Sequence, residues 1–253
     1  MWFDSHCHLH LCEEGTASEI VARAREARVE ELLTVGIDLP SSRRSVELAN
    51  ECRVYASVGM HPNSSNEWES DSPNILSDLL QEDRVVAVGE TGLDFYRDRV
   101  APAQQKEAFA RHIELANSHG KALVIHTRDS VEEALEVLAV EGPPNVVIFH
   151  CWSGARSHLD RALDLGAYVS FAGNVSFKNA GDLRGIAALV PEERLLVETD
   201  SPFLAPVPYR GKPNEPRYVP AVGAALAEAR GVSVEAVAQQ TRANARRAFS
   251  LEE

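Results

Sequence analysis

His6 and His8 stand two residues apart behind an apolar run that begins at Trp2. Side chains alternate along an extended strand, so two imidazoles at that spacing share one side. Further imidazoles and carboxylates recur at comparable points along the chain: His61, Glu90, His126, His150 and Asp200. Neutral imidazole and ionised carboxylate together bind divalent cations, and a mixed set admits Zn, Mn, Co or Mg. So many imidazoles disfavour Mg alone, which prefers oxygen. Glu90 offers two oxygens and can bridge two ions, with Asp200 completing the first and His126 and His150 the second. A cation so held lowers the pKa of water and stabilises charge on an attacked ester. These residues therefore suit metal-dependent hydrolysis, with Glu90 and Asp200 as its catalytic carboxylates.

The same side chains lie far apart in sequence, so the fold must gather them. Residues 2–6, 31–36, 54–59, 85–89, 122–125, 146–149, 167–171 and 195–198 form runs rich in Val, Ile and Leu. They are too short for helices and predict buried parallel strands. Helical patterns alternate with them at 17–28, 102–119, 130–140, 158–165, 219–230 and 233–249. Pro102 opens one of these and Gly120 follows it, as helix punctuation requires. About eight strand-then-helix units predict an α/β fold, a TIM (β/α)8 barrel forming one domain over residues 1–253. A doubly wound sheet competes, but its G-x-G-x-x-G is missing after the first strand. In a barrel every strand exit opens on one rim, where such enzymes carry their catalytic groups. The candidate ligands fall at those exits. Residues 201–218, full of Pro and Gly, read as a long functional loop. His10, His112, His119 and His158 fall in a loop or on helical patterns and read as surface residues.

Composition narrows the class. The 253 residues carry a formal net charge of -13. A broad basic face for nucleic acid is therefore excluded, and local groups or bound cations must supply the grip. Cys7, Cys12, Cys52 and Cys151 form no C-x-x-C pair and read as reduced thiols, with Cys7 and Cys151 as small apolar fillers. No basic leader and no membrane-length apolar run is present, which predicts a cytoplasmic protein.

The stretches Asp4-Ser-His-Cys-His8, Gly59-Met-His-Pro62, Gly89-Glu-Thr-Gly-Leu-Asp-Phe-Tyr96, His126-Thr-Arg128, His150-Cys-Trp-Ser-Gly154, Glu198-Thr-Asp-Ser-Pro202 and Arg210-Gly-Lys-Pro-Asn-Glu-Pro216 resemble, in order, the signature blocks of the TatD family. These are metal-dependent deoxyribonucleases among the amidohydrolase-like TIM barrels. The resemblance spans most of the chain. It implies two divalent ions, one held by His6, His8, Glu90 and Asp200, the other by Glu90, His126 and His150. It implies phosphodiester hydrolysis, typically of DNA and often from a 3′ end. The expected partner is thus nucleic acid, as single strands or 3′ ends, with no membrane and no obligate protein partner.

The residues around the ligands take supporting roles. The resemblance makes His61 a phosphate donor, the alternative being a turn residue before Pro62. Arg128 can face the same rim and suits bidentate phosphate contact, with a salt bridge to Glu198 or Asp94 as the competing role. Asp94 and Tyr96 read as ligand orienters or pocket wall. Ser153 opens a helix whose free N–H groups suit an anion, or simply caps it. Tyr209, Trp152 and Phe95 are stacking surfaces for bases or packing residues. Glu198 shares the side of Asp200 by the two-residue period, and either supports a ligand or holds an extra ion. Arg210, Asn214 and Glu215 shape the pocket or pin the long loop. Asp200 can take a proton from attacking water. Two other functions compete: hydrolysis of an amide, ester or aminoacyl bond in the same site, and a non-catalytic metal-binding scaffold.

Overall fold

A computed structural model describes residues 1–97 and 99–251. Eight strands pair in chain order: β1 (Trp2–Cys7), β2 (Val29–Val35), β3 (Tyr55–Val58), β4 (Val85–Asp94), β5 (Ala122–Arg128), β6 (Val147–Phe149), β7 (Tyr168–Phe171) and β8 (Leu195–Val197). Every neighbouring pair is parallel. The first and last strands meet just past β8, where Asp200 N donates to His6 O at 2.9 Å and His8 N to Ser201 O at 2.7 Å. The result is the expected (β/α)8 barrel, ringed by α1 (Ala17–Glu26), α2 (Leu39–Cys52), α3 (Ser72–Leu79), α4 (Pro102–His119), α5 (Val131–Glu141), α6 (Arg156–Asp164), α7 (Gly181–Ala187), α8 (Val219–Arg230) and α9 (Val234–Ala248).

Two apolar layers hold it together. Leu32, Leu123, Val147 and Leu195 face the helices and pack with Phe109 and Ile113 of α4 and others. Phe3, Leu33, Val124, Ile148 and Leu196 fill the barrel, with Ala245, Ala248 and Phe249 packed into the same layer from the α9 end. The buried face of α2 mixes Ser41, Ser42 and Ser45 in its first turns with Val46, Leu48, Ala49 and Cys52 in its last, and Ser42 Oγ donates to Gly59 O at 3.0 Å. Its start is marked by Asp38, whose carboxylate accepts from Ser41 N at 2.7 Å.

Two irregularities in the strands set up the site. Phe3 points into the barrel, so strict alternation would send Cys7 inward and His6 outward. A register shift between Asp4 and Cys7 switches the phase. Cys7 joins the helix-facing layer, and both histidines turn to the mouth. The second lies in β4, which does not end at Gly89 or Glu90 as its apolar run suggests. It continues to Asp94, with a shift between Val88 and Thr91. Gly89 and Gly92 bracket that shift at φ +134° and +128°, and a Cβ on them would sit 2.5 Å from Val124 O and 2.2 Å from His126 O. Only glycine lets β4 run this close to β5 in that conformation. The extended pairing sets Gly92 against His126 and Asp94 against Arg128.

Candidate metal centre

The predicted ligands converge on one mouth of the barrel, and Glu90 is their centre. Its Oε2 lies 3.4 Å from His6 Nε2 and 3.6 Å from His8 Nε2. Its Oε1 lies 2.9 Å from both His126 Nδ1 and His150 Nε2. Asp200 Oδ1 is 3.9 Å from His6 Nε2 and 3.6 Å from His8 Nε2. The two carboxylate oxygens of Glu90 therefore face different imidazole pairs.

Hydrogen-bond partners fix which ring nitrogens carry protons. His8 Nδ1 faces Val35 O at 3.1 Å. A carbonyl only accepts, so that nitrogen donates and Nε2 presents its lone pair to the cluster. His150 Nδ1 faces Glu198 Oε1 at 3.1 Å, so a cation bound beside Glu90 would displace the Nε2 proton and leave Nδ1 protonated. His126 lies between two carboxylates, its Nδ1 2.9 Å from Glu90 Oε1 and its Nε2 3.5 Å from Asp94 Oδ2, the latter a charge contact without a hydrogen bond. His61 is the reverse case. Its Nδ1 accepts from Asn63 N at 3.0 Å, so Nε2 carries the proton and points at Glu90 Oε1 from 3.6 Å. Although His61, Glu90 and His126 are close enough to hold an ion, His61 is thereby a donor rather than a ligand.

The electrostatics call for positive charge between these groups. Burial disfavours charge on Glu90, but His150, His61 and His126 outweigh it and hold the carboxyl well below its ordinary range. Asp200 is likewise buried, yet His8, His150 and His6 keep its carboxyl low. Burial opposes protonation of His150, but Glu90 and Glu198 pull its imidazole well above the usual value. Burial and the neighbouring His126 push His61 down to about 3, so it is neutral at pH 7. His6 Nε2 and His8 Nε2 lie 3.3 Å apart, so the two rings aim ring nitrogens at one point, where a proton or a cation can be shared. Borderline nitrogen ligands with carboxylates that can bridge match a divalent transition metal, and Nδ1–H bonds from ligating histidines to an acid or carbonyl are the usual support. The residues present fit the metal.

The surrounding groups sort out as follows. Glu198 is fully buried, and its Oε1 accepts from His150 Nδ1, which holds that ring in place. Asp94, also buried, accepts from Asn63 Nδ2 at 3.0 Å and from the N–H groups of Tyr96 and Arg97. It orients His126. Arg128 pairs with neither Glu198 nor Asp94 among the described residues, and its guanidinium lies 3.7 Å over the Tyr96 ring instead. Asn214 donates to Thr199 O at 2.8 Å and Glu215 accepts from Arg23 Nε at 2.8 Å, so both pin the loop. Arg210 lies over Phe177 at 3.8 Å.

Four expectations need correction. Trp152 is 1% exposed, donates to Gly154 O and packs edge-on against Phe149, so it offers no stacking face. Tyr209 has its ring stacked on Tyr218 at 3.9 Å. Ser153 does not open a helix: α6 starts at Arg156 with Ala155 as its cap, and Ser153 Oγ donates to Thr127 O. His112 is not a surface residue. It is fully buried, its Nε2 accepts from Met60 N at 2.9 Å, and its Nδ1 donates to Ala108 O. Its helical-spacing neighbours Ala108, Phe109, Leu115 and Ala116 are buried and apolar, the signal that marks it as inward-facing, and it holds the segment that carries His61. His10, His119 and His158 are half-buried.

Comparison with known proteins gives a consistent picture. The family model for TatD related DNase matches residues 3–250. A Mycobacterium tuberculosis protein named uncharacterized metal-dependent hydrolase TatD is 43% identical, covering 98% of this chain and 97% of its own. The 3'-5' ssDNA/RNA exonuclease TatD of Klebsiella pneumoniae is 35% identical over 92% of each chain. The crystal structure of YJJV, a TatD homologue of Escherichia coli, superposes with a TM-score of 0.93 at 26% identity, over 99% of this chain and 98% of that one.

Proposed function

This chain belongs to the TatD-related DNase family of metal-dependent hydrolases, and on that premise we propose that it cleaves phosphodiester bonds of single-stranded nucleic acid from the 3′ end at a centre of two divalent cations. The observation that carries the reading is the split of Glu90, whose Oε2 serves His6 and His8 while Oε1 serves His126 and His150. His6, His8, Glu90 and Asp200 would hold one ion, and Glu90, His126 and His150 the other. Bound there, such ions supply Lewis acidity to the phosphate and lower the pKa of water. Zn, Mn or Co suits the imidazole-rich set better than Mg.

The chain's own residues do the rest. Asp200 reaches the mouth with its side chain 13% exposed, where it accepts the proton of the attacking water. His61 presents a fixed Nε2–H towards the same space, suited to a non-bridging phosphate oxygen. Arg128, held flat against Tyr96, offers the remaining edge of its guanidinium to the phosphate. Glu198 holds the Nδ1 proton of His150 so that Nε2 can ligate, and Asp94 sits beside His126 Nε2 as a charge partner. Residues 1–253 act as one catalytic domain. Among the described residues no helix is long and apolar enough to cross a membrane.

The test is to incubate the purified chain with Mn, Co, Zn or Mg and 5′-labelled single-stranded DNA or RNA, alongside carboxylic esters and amides. Metal-dependent shortening from the 3′ end is the expected outcome. Turnover of the carbonyl substrates alone would transfer the site to carbonyl hydrolysis, and no turnover with any metal would leave a binding scaffold.

A further inference from the structure

Among the described residues the exposed aromatic side chains are Tyr96, at 62%, and Phe203, at 51%. Both stand on the rim around the metal centre. Phe203 lies in the loop after β8, with its ring edge-on to that of His8 at a centroid distance of 6.0 Å. Its backbone is fixed from both sides. Its N–H donates to Asp200 O at 2.8 Å, and its carbonyl accepts from the side chain of fully buried Asn214. The ring is therefore positioned by a rigid loop while its own burial adds little to the core. Tyr96, across β4, has one face already covered by Arg128.

The surroundings state what such a ring would meet. The chain carries a net charge of -13. Yet the loops that leave the barrel after β7 and β8 carry exposed Lys178, Arg210 and Lys212, and Arg128 ends β5 against Asp94. An apolar flat face next to a phosphate-handling centre, flanked by cations, is complementary to a nucleotide whose base is free to turn out. Every base has a π-face, so stacking of this kind is tolerant of sequence.

We propose that Phe203 stacks on the base of the nucleotide beside the scissile phosphate and thereby selects strands with unpaired ends. The proposal rests on the phosphodiesterase reading and deepens it. A base inside a duplex has both faces occupied and reaches the ring only at the cost of unstacking. Phe203 is thus a specificity-determining contact, distinct from the ligands and from Asp200.

Binding is the decisive readout. The affinity of wild type, Phe203→Ala and Phe203→Tyr is measured with manganese by fluorescence anisotropy, on a 5′-labelled single strand with phosphorothioate linkages at its 3′ end. A second strand is abasic at its last two positions. Phe203→Ala should weaken binding of the intact strand about five- to hundredfold, the range for losing one base stack. Phe203→Tyr should bind as wild type does, and the difference between wild type and Phe203→Ala should vanish on the abasic strand. Unchanged affinity in Phe203→Ala, or an equal loss on both strands, overturns the stack. Wild type that binds strands but cleaves none overturns the catalytic reading while leaving the stack in place. Wild type that binds no strand overturns both.

Discussion

Acidification should loosen this protein through His112, a residue that touches no ligand. Burial pushes its imidazole down from 6.5 to about 4. The neutral ring accepts from Met60 N and donates to Ala108 O, and an imidazolium could not accept that first bond. The unfolded chain titrates at the ordinary value, so between pH 6.5 and 4 the unfolded state binds more protons than the folded one. The stability that the neutral ring contributes is complete above the unfolded pKa and is lost as pH falls towards the folded pKa. At pH 4.5 the loss integrates to about 2.5 kcal/mol for a shift of this size, since each unit is worth about 1.36 kcal/mol. Urea denaturation at pH 7.5 and 4.5, with chelator present throughout, measures it for wild type and for His112→Gln. Chelation removes metal loss from the comparison, and the other carboxylates and histidines titrate alike in both proteins. The wild type should lose about 2.5 kcal/mol more than the variant over that range. Equal losses would show that His112 is protonated in the fold at little cost, and that the Met60 bond does not anchor the His61 segment.

Replacing Glu90 by Ala should remove both ions together, because one side chain serves both imidazole pairs; elemental analysis that finds one ion retained would contradict the bridge. Glu198→Gln should weaken metal binding about ten- to hundredfold without unfolding the chain, because the His150 Nδ1 proton loses its carboxylate partner. Competition with a chromogenic chelator reads that change, and unaltered affinity would make Glu198 a packing residue.

The residue types and their places at strand exits were enough to single out the side chains that converge on the barrel mouth, because imidazole and carboxylate chemistry is local and strand–helix alternation leaves few folds. Proline and glycine punctuation marked α4 to the residue for the same reason. Other features are collective. Whether His6 or Cys7 faces the mouth depends on a register shift against β2, and alternation within β1 carries no sign of it. That β4 passes Glu90 and continues to Asp94 depends on β5 lying close enough to pair with it, a contact that Gly89 and Gly92 permit but do not announce. Burial of His112 and Trp152, and exposure of Phe203, depend on what packs from other elements. A sequence fixes the chemistry a side chain can do; its direction, proton and neighbours come from backbones that meet only in three dimensions.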